Sequence, residues 1–433
     1  MSDLTLTPFE RPFVAKITPP GSKSLTNRAL VLAALGTRRC VLRNILFADD
    51  TRVMLEGLRK LGFDLQVDDA AHTVTVAGRS GELPAGEASI FCGNSGTTIR
   101  FLTALCAQGR GVYTLDGIER MQQRPIGQLV DMLKNLGARI EYPGNPGFPP
   151  VRVLGDRLAG GTVAFAASQS SQYLSAVLQV SPYARHEVRV ELGPGQTSWP
   201  YVAMTMQLMD QFGVTPELFR DPKTSEPRRI HVPQGQYTAE EYVVEPDASN
   251  ASYFLAAAAV REGAKVTIEG LGKSSLQGDV GFADVLHRMG ADLVFGNDFI
   301  TITGTGTLEG IDIDLASMPD MAQTLAVVAL FADGPTTLRG LHTLRVKETD
   351  RIDALARELT KLGAEVDVEG NDMTIHPSER GLTPAHIDTY DDHRMAMSFA
   401  VAGTRQAGVT IRNIECVNKT YPEFFQDLEK LRS

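Results

Sequence analysis

The feature that most restricts the fold is a glycine returning at nearly constant intervals. Gly62, Gly137, Gly213, Gly290 and Gly363 are separated by 75, 76, 77 and 73 residues. Each closes an amphipathic helical pattern and precedes two short strand-like stretches, as in LEGLRKLGFDLQV, LVDMLKNLGARIEY and ARELTKLGAEVDV. A glycine just past a helix takes the left-handed backbone that stops the helix and satisfies its last carbonyls. A sixth helical pattern, YPEFFQDLEKL, ends the chain. A period this constant marks a repeated supersecondary unit.

A second helix recurs in every unit, beginning GSKSLTNRALVLAAL, GNSGTTIRFLTALCA, SSQYLSAVLQV, DASNASYFLAAAAV, PDMAQTLAVVALFA and DDHRMAMSFAVA. These are apolar nearly all round and so predict buried helices. Alternating stretches such as TVTVAG, RVRVELG, KVTIEG and FITITG predict strands. The expected fold is therefore α/β (α+β), with six strand/helix units shared equally by two similar domains. A chain of 433 residues also exceeds one ordinary core. YVVEPDAS (residues 242–249), near the middle, is the candidate boundary. The short N-terminal piece is expected to join the second half, an assignment that periodicity does not itself give, so that the expected domains are 23–245 and a discontinuous 1–22 with 246–433.

Composition narrows the function classes. Hydrophobic residues are 43% and charged residues 22%, a globular balance. The net charge of −10 argues against nucleic acid as the main partner. No uninterrupted apolar run of membrane-spanning length occurs, and MSDLTLTPFERPF has no apolar signal stretch. Cys40, Cys92, Cys106 and Cys416 show no C-x-x-C spacing, and the histidines form no H-E-x-x-H. The expectation is a cytoplasmic, monomeric enzyme on small molecules, with neither metal nor organic cofactor.

The placement of cations points to the ligand. A helix N-terminus carries partial positive charge and ordinarily attracts Asp or Glu. Here Lys23 and Arg28 lie in the opening turns of a buried helix, and Arg124 precedes Pro125, which reads as a first-turn proline. Lys347 and Arg351 open a helix, Arg394 opens another, and Lys419 stands three residues before Pro422. Each placement is unfavourable unless an anion sits nearby. Asn94, Gly96 and Thr97 offer close backbone approach before a helix, while Ser170, Ser171 and Gln172 offer polar groups that could equally be caps. GSKS lacks the earlier glycine of a nucleotide-binding loop, Ile17 standing there. The whole predicts a cationic cleft between two halves that binds phosphate- and carboxylate-bearing substrates.

With PGSKSLTNRALVLAAL, GNSGTTIRFL, RPIGQLVDMLKNLGA, SSQYLSA, PDASNASYFLAAAA, LRVKETDRI, DDHRMAM and NKTYPEFF in order, the chain resembles the 5-enolpyruvylshikimate-3-phosphate synthase family along nearly its whole length. The resemblance implies two inverse half-barrel domains of three repeats each. It also implies transfer of the enolpyruvyl group of phosphoenolpyruvate to the 5-hydroxyl of shikimate 3-phosphate. Lys23 would contact both substrates. Ser24, Arg28, Ser170, Ser171, Gln172, Ser198, Tyr201, Asp320 and Lys347 would hold shikimate 3-phosphate. Gly96, Arg124, Gln172, Arg351, Arg394 and Lys419 would hold phosphoenolpyruvate. Asp320 and Glu348 match the acid/base carboxylates, with Lys23 beside the leaving phosphate, and His393 falls within the same motifs. Substrates of such charge imply domain closure around them.

Three positions depart from the family pattern. Phe101 stands where many members carry proline, Thr343 where some carry a phosphate-contacting asparagine, and Trp199 where a basic residue is usual. Rival readings fit less well. The sister transferase acting on UDP-N-acetylglucosamine usually carries a cysteine before its Arg-Pro, absent from GIERMQQRP, and a Lys-Asn-Asn opening that SKSLTNR replaces. A repeat protein of the RNA 3′-phosphate cyclase type conflicts with the acidic charge. A non-catalytic anion binder would have no use for Asp320 and Glu348. On the residues alone, those two carboxylates have plainer readings, Asp320 as a helix cap and Glu348 as an i,i+3 partner of Arg351.

Overall fold

The computed structural model describes residues 2–166 and 170–432. Two compact units emerge: residues 21–244, and residues up to Pro20 together with those from Glu245 onward. The division falls two residues before the predicted one at the first crossing and one before it at the second. Gly21 and Ser22 pack with the continuous unit, where Ser22 caps the first helix by accepting from the Leu25 N–H. Glu245 goes with the other unit, its carboxylate accepting from the Ser275 hydroxyl and the Leu276 N–H.

The continuous unit contains helices α1 (Lys23–Leu35), α2 (Asp49–Lys60), α3 (Gly96–Gln108), α4 (Gly127–Asn135), α5 (Ser171–Val180) and α6 (Trp199–Gln211). Its three four-stranded sheets share one pairing pattern. In the first, Glu241–Val243 runs parallel to Arg39–Arg43, which pairs antiparallel with Thr73–Ala77 and that in turn with Leu65–Asp68. The second repeats this with Glu87–Phe91, Arg110–Asp116, Val151–Asp156 and Arg139–Glu141. The third uses Gly161–Phe165, Val188–Leu192, Pro227–Val232 and Glu217–Arg220.

The discontinuous unit contains α7 (Ala248–Ala259), α8 (Phe282–Arg288), α9 (Ala322–Val328), α10 (Arg351–Lys361), α11 (His393–Gly403) and α12 (Phe424–Glu429). Two of its sheets repeat the pattern. One needs the N-terminal strand Val14–Ile17, parallel to Lys265–Glu269, and the other pairs Asp312–Asp314 with Thr336–Arg339. A shorter one has Ala385–Ile387 parallel to Val409–Ile411 and Leu4–Thr5 antiparallel on its far edge, and Leu308–Glu309 pairs in parallel with Ala332–Asp333. Among the described residues no helix is long and apolar enough to cross a membrane.

Helix chemistry explains the period. Gly62, Gly137, Gly213, Gly290 and Gly363 all have φ between 86° and 117°. After each, the next N–H reaches back to the helix, as Phe63 to the Leu58 carbonyl at 3.1 Å and Ala138 to Leu133 at 2.9 Å. This is the Schellman closure, which uses carbonyls the helix would otherwise leave unbonded. The apolar helices form the cores: α1, α3 and α5 pack together in one unit, and α7, α9 and α11 in the other. Every residue of α3, α7, α9 and α11 is buried. A helix with no solvated face has to carry its functional polar groups at its ends, which is where the candidate site lies.

Gly21 marks the first crossing between units and has no room for a side chain. A Cβ there would stand 1.8 Å from the Asn44 carbonyl oxygen, a backbone atom that cannot swing away. Gly21→Ala should therefore destabilise the fold by about 2–3 kcal/mol in urea denaturation. Gly86→Ala, where the added carbon meets nothing within 4 Å, should stay within about 0.5 kcal/mol of the parent.

Candidate active site

In the continuous unit the polar residues gather at helix starts. Lys23, the first residue of α1, puts its Nζ 3.4 Å from the Asp50 carboxylate. The Asp50 carbonyl accepts from Thr98 at 3.2 Å, tying the opening of α3 to α2. Gln172, in the first turn of α5, bonds Thr97 through its Nε2 at 3.3 Å and accepts from Arg100 through its Oε1 at 2.5 Å. Arg124 donates to the Asn94 carbonyl at 2.9 Å and to the Asn94 side chain at 3.1 Å. A Cβ on Gly96 would lie 2.6 Å from Arg124 Nη2, so only glycine lets this guanidinium lie over the helix start.

Arg28 is the oddity of this unit. It is 1% exposed, and its partners are neutral: Thr205 at 2.7 Å, the Ser24 carbonyl at 2.9 Å and Ser175 at 3.2 Å. The Tyr201 carbonyl completes the set at 3.5 Å, and the Phe101 ring lies under the guanidinium at 5.2 Å. Burial pulls this group down to about 10, with Tyr201 acting in the opposite direction. Phe101, one of the three departures, thus faces a cation, and the flat ring suits that role. Ser170 caps α5 by accepting from the Gln172 N–H at 3.3 Å, as the plainer reading of SSQ expects. Ser171 is buried, and Ser198 adopts a left-handed backbone with φ of 54° just before Trp199 opens α6.

In the discontinuous unit the cations meet carboxylates. Asp320 accepts from Lys347 at 3.4 Å, Arg351 at 3.1 Å and Arg394 at 3.1 Å. Glu348 pairs with Arg351 at 3.0 Å and Lys419 at 3.7 Å. Arg351 also grips Asp392 through Nε at 2.7 Å and Nη2 at 3.3 Å. Burial works against the Arg351 charge, but Asp392, Glu348 and Asp320 together outweigh it and hold the group above its ordinary value. His393 opens α11 beside Asp392, its Nδ1 3.6 Å from that carboxylate. Thr343 is 1% exposed and its hydroxyl has no partner among the described residues.

Several local expectations need correction. Pro125 is not a first-turn proline, because α4 begins at Gly127; its carbonyl instead accepts from Tyr173 at 2.6 Å and Arg100 at 3.2 Å. Lys347 lies outside α10, which is capped by Asp350 accepting from the Ile352 and Asp353 N–H groups. Lys419 stands ahead of Pro422 and α12 as expected, and it closes a 3-10 helix of its own, Ile414–Lys419. Asp320 sits in the 3-10 turn Pro319–Met321, and its carboxylate engages cations in place of a cap.

Sequence reasoning passed over Asp50, Arg100 and Asp392. Arg100 had a signal, a charge one turn after Gly96 on an otherwise apolar helix. Asp392 had the signature of a cap, and it does accept from the Arg394 N–H at 2.9 Å. Its second bond, to an arginine 41 positions away, left no trace in the chain. Chemically, the cluster of Lys347, Arg351, Arg394 and Lys419 around Asp320 and Glu348 offers fixed positive charge to an anionic group beside two carboxylates that could exchange protons.

Comparison with known proteins follows the same line. The family model for EPSP synthase (3-phosphoshikimate 1-carboxyvinyltransferase) matches residues 10–428. A 3-phosphoshikimate 1-carboxyvinyltransferase from Nostoc sp. is 41% identical over 432 residues, 100% of each chain. One from Vibrio atlanticus is 44% identical over 434 residues, again 100% of each. An EPSP synthase structure from Acinetobacter baumannii superposes with a TM-score of 0.81 at 27% identity, over 99% of this chain and 98% of that one. Matched by one family pattern from residue 10 to residue 428, and end to end by relatives more than 40% identical, the chain belongs to the EPSP synthase family.

Proposed function

We propose that this enzyme transfers the enolpyruvyl group of phosphoenolpyruvate to the 5-hydroxyl of shikimate 3-phosphate, releasing inorganic phosphate. The observation that carries the reading is the meeting of four cationic side chains at Asp320 and Glu348. Both substrates bear a phosphate and a carboxylate, and bringing such polyanions together requires fixed positive charge. Arg124, Arg351, Arg394 and Lys419, with Gly96 and Gln172, are the proposed phosphoenolpyruvate set. Ser24, Arg28, Ser170, Ser171, Gln172, Ser198, Tyr201, Asp320 and Lys347 are the proposed shikimate 3-phosphate set, and Lys23 serves both. The thiols of Cys40, Cys92, Cys106 and Cys416 are all free, which supports a cytoplasmic setting.

The chemistry runs by addition and elimination. A proton passes to the methylene carbon of phosphoenolpyruvate while the 5-hydroxyl oxygen bonds to the neighbouring carbon and loses its own proton. The tetrahedral adduct then gives back a methyl proton as its carbon–oxygen bond to phosphate breaks. Two acid/base groups are needed, one facing carbon and one facing oxygen. Glu348 is assigned to the carbon and Asp320 to the hydroxyl, with Lys23 at the departing phosphate. An anion entering the cluster takes over the cations that now hold these carboxylates, leaving both available to exchange protons.

Phosphate release from phosphoenolpyruvate should depend on shikimate 3-phosphate and be absent with UDP-N-acetylglucosamine; the reverse pattern overturns the reading. Asp320→Asn and Glu348→Gln should each lower kcat about 100-fold or more. Turnover near that of the parent removes that residue from the mechanism. Gly96→Ala pushes on Arg124 and should raise KM for phosphoenolpyruvate about tenfold, with a much smaller change for shikimate 3-phosphate. Shikimate 3-phosphate should raise the melting temperature of the parent protein, and Arg28→Met should abolish most of that shift.

A further inference from the structure

Asp392 can orient Arg351 only if the turn that delivers it keeps its shape. That turn, Thr389–Asp392, closes with the Asp392 N–H donating to the Thr389 carbonyl at 2.9 Å. Its two central residues, Tyr390 and Asp391, have φ of 53° and 58°. A turn with both central residues left-handed is ordinarily built from asparagine and glycine, and a bulky tyrosine there is disfavoured. Something must hold it.

The holder is a carboxylate with no exposed surface on the facing helix. Glu358 Oε1 accepts from the Tyr390 hydroxyl at 2.6 Å. Its Oε2 accepts from the Asp388 N–H at 3.0 Å and from Lys361 at 2.7 Å. Asp391 is tied from the other side, accepting from the Asn413 amide at 2.7 Å. Arg351 and Glu358 stand seven residues apart on α10, about two turns, so they project from one face. Helix α10 therefore holds the 388–392 segment along its length: Arg351 on Asp392, Glu358 on Tyr390 and the Asp388 N–H, and Lys361 on the Asp388 carboxylate. Asp392 in turn caps α11 at Arg394, so both arginines of the cluster depend on where this turn lies.

We propose that Glu358 and Tyr390 are positioning residues for the anion-binding arginines, their hydrogen bond keeping the left-handed turn in the shape that presents Asp392 to Arg351 and Arg394. The proposal rests on the reading above that these arginines bind phosphoenolpyruvate. A role in packing alone would be met by phenylalanine.

Tyr390→Phe keeps the ring and removes the latch. KM for phosphoenolpyruvate should rise about fivefold, with kcat within about twofold of the parent. Adding Asp391→Asn should recover most of the loss, because asparagine accepts left-handed backbone and its oxygen can still receive the Asn413 amide. An unchanged KM in folded Tyr390→Phe overturns the proposal, as does a rise that Asp391→Asn leaves in place. Should Tyr390→Phe not fold, Glu358→Gln keeps a weaker acceptor and must raise the same KM at least about twofold, or the proposal falls. Amide hydrogen exchange across 389–396 gives a readout independent of turnover. Faster exchange there in Tyr390→Phe supports the latch even if the parent protein proves to have another substrate, whereas unchanged exchange rejects it.

Discussion

The buried guanidinium of Arg351 sets the terms for the unit around it. A full positive charge out of water is tolerable only where carboxylates or well-placed acceptors surround it, and removing one of them leaves an uncompensated charge. Arg351 has three such neighbours, brought from three parts of the chain: Asp320, Glu348 and Asp392. Asp320 comes from the turn before α9, Glu348 from the segment before α10, and Asp392 from the start of α11. Satisfying one side chain thus fixes the relative placement of three helix openings. The same carboxylates hold Lys347, Arg394 and Lys419, so the proposed anion-binding surface and the charge balance of the unit are one object.

Arg28 shows the opposite solution. It is as deeply buried, yet its partners are hydroxyls, carbonyls and the Phe101 ring. Neutral partners compensate a charge incompletely, which is why its affinity for a proton falls to about 10, below the ordinary arginine value. Below that pH the fold carries the full cost of holding the charge, and the cost lessens only as the medium becomes alkaline enough to neutralise it. A dianionic phosphate brought against Arg28 would remove that cost at neutral pH. Under the proposed function, binding free energy and stored instability are linked at Arg28, whereas at Arg351 the protein has already supplied the counter-charge.

Much of this could be read from the chain. The five glycines announced their helix ends because a left-handed residue past a helix is a local necessity, and all five have positive φ. The six apolar helices were legible for the same reason: a segment without a polar face has nowhere to go but the interior. Helix starts were harder. Pro125 and Lys347 were each expected to open a helix, but α4 begins at Gly127 and α10 at Arg351. A few residues of turn or 3-10 backbone depend on what the preceding loop packs against.

The chain alone determined what recurs locally: helix stops, buried faces, alternating strands, and the cationic and acidic side chains at helix openings. Folding decided which charges pair. Asp392 has the signature of a cap and is also a bidentate partner of Arg351; Tyr390, which nothing local singles out, bonds a buried glutamate 32 positions earlier. Periodicity and capping are set by neighbours within a few residues, so they are written in order along the sequence. Electrostatic pairing in a dry interior is set by distance in space, which exists only once the helices have packed.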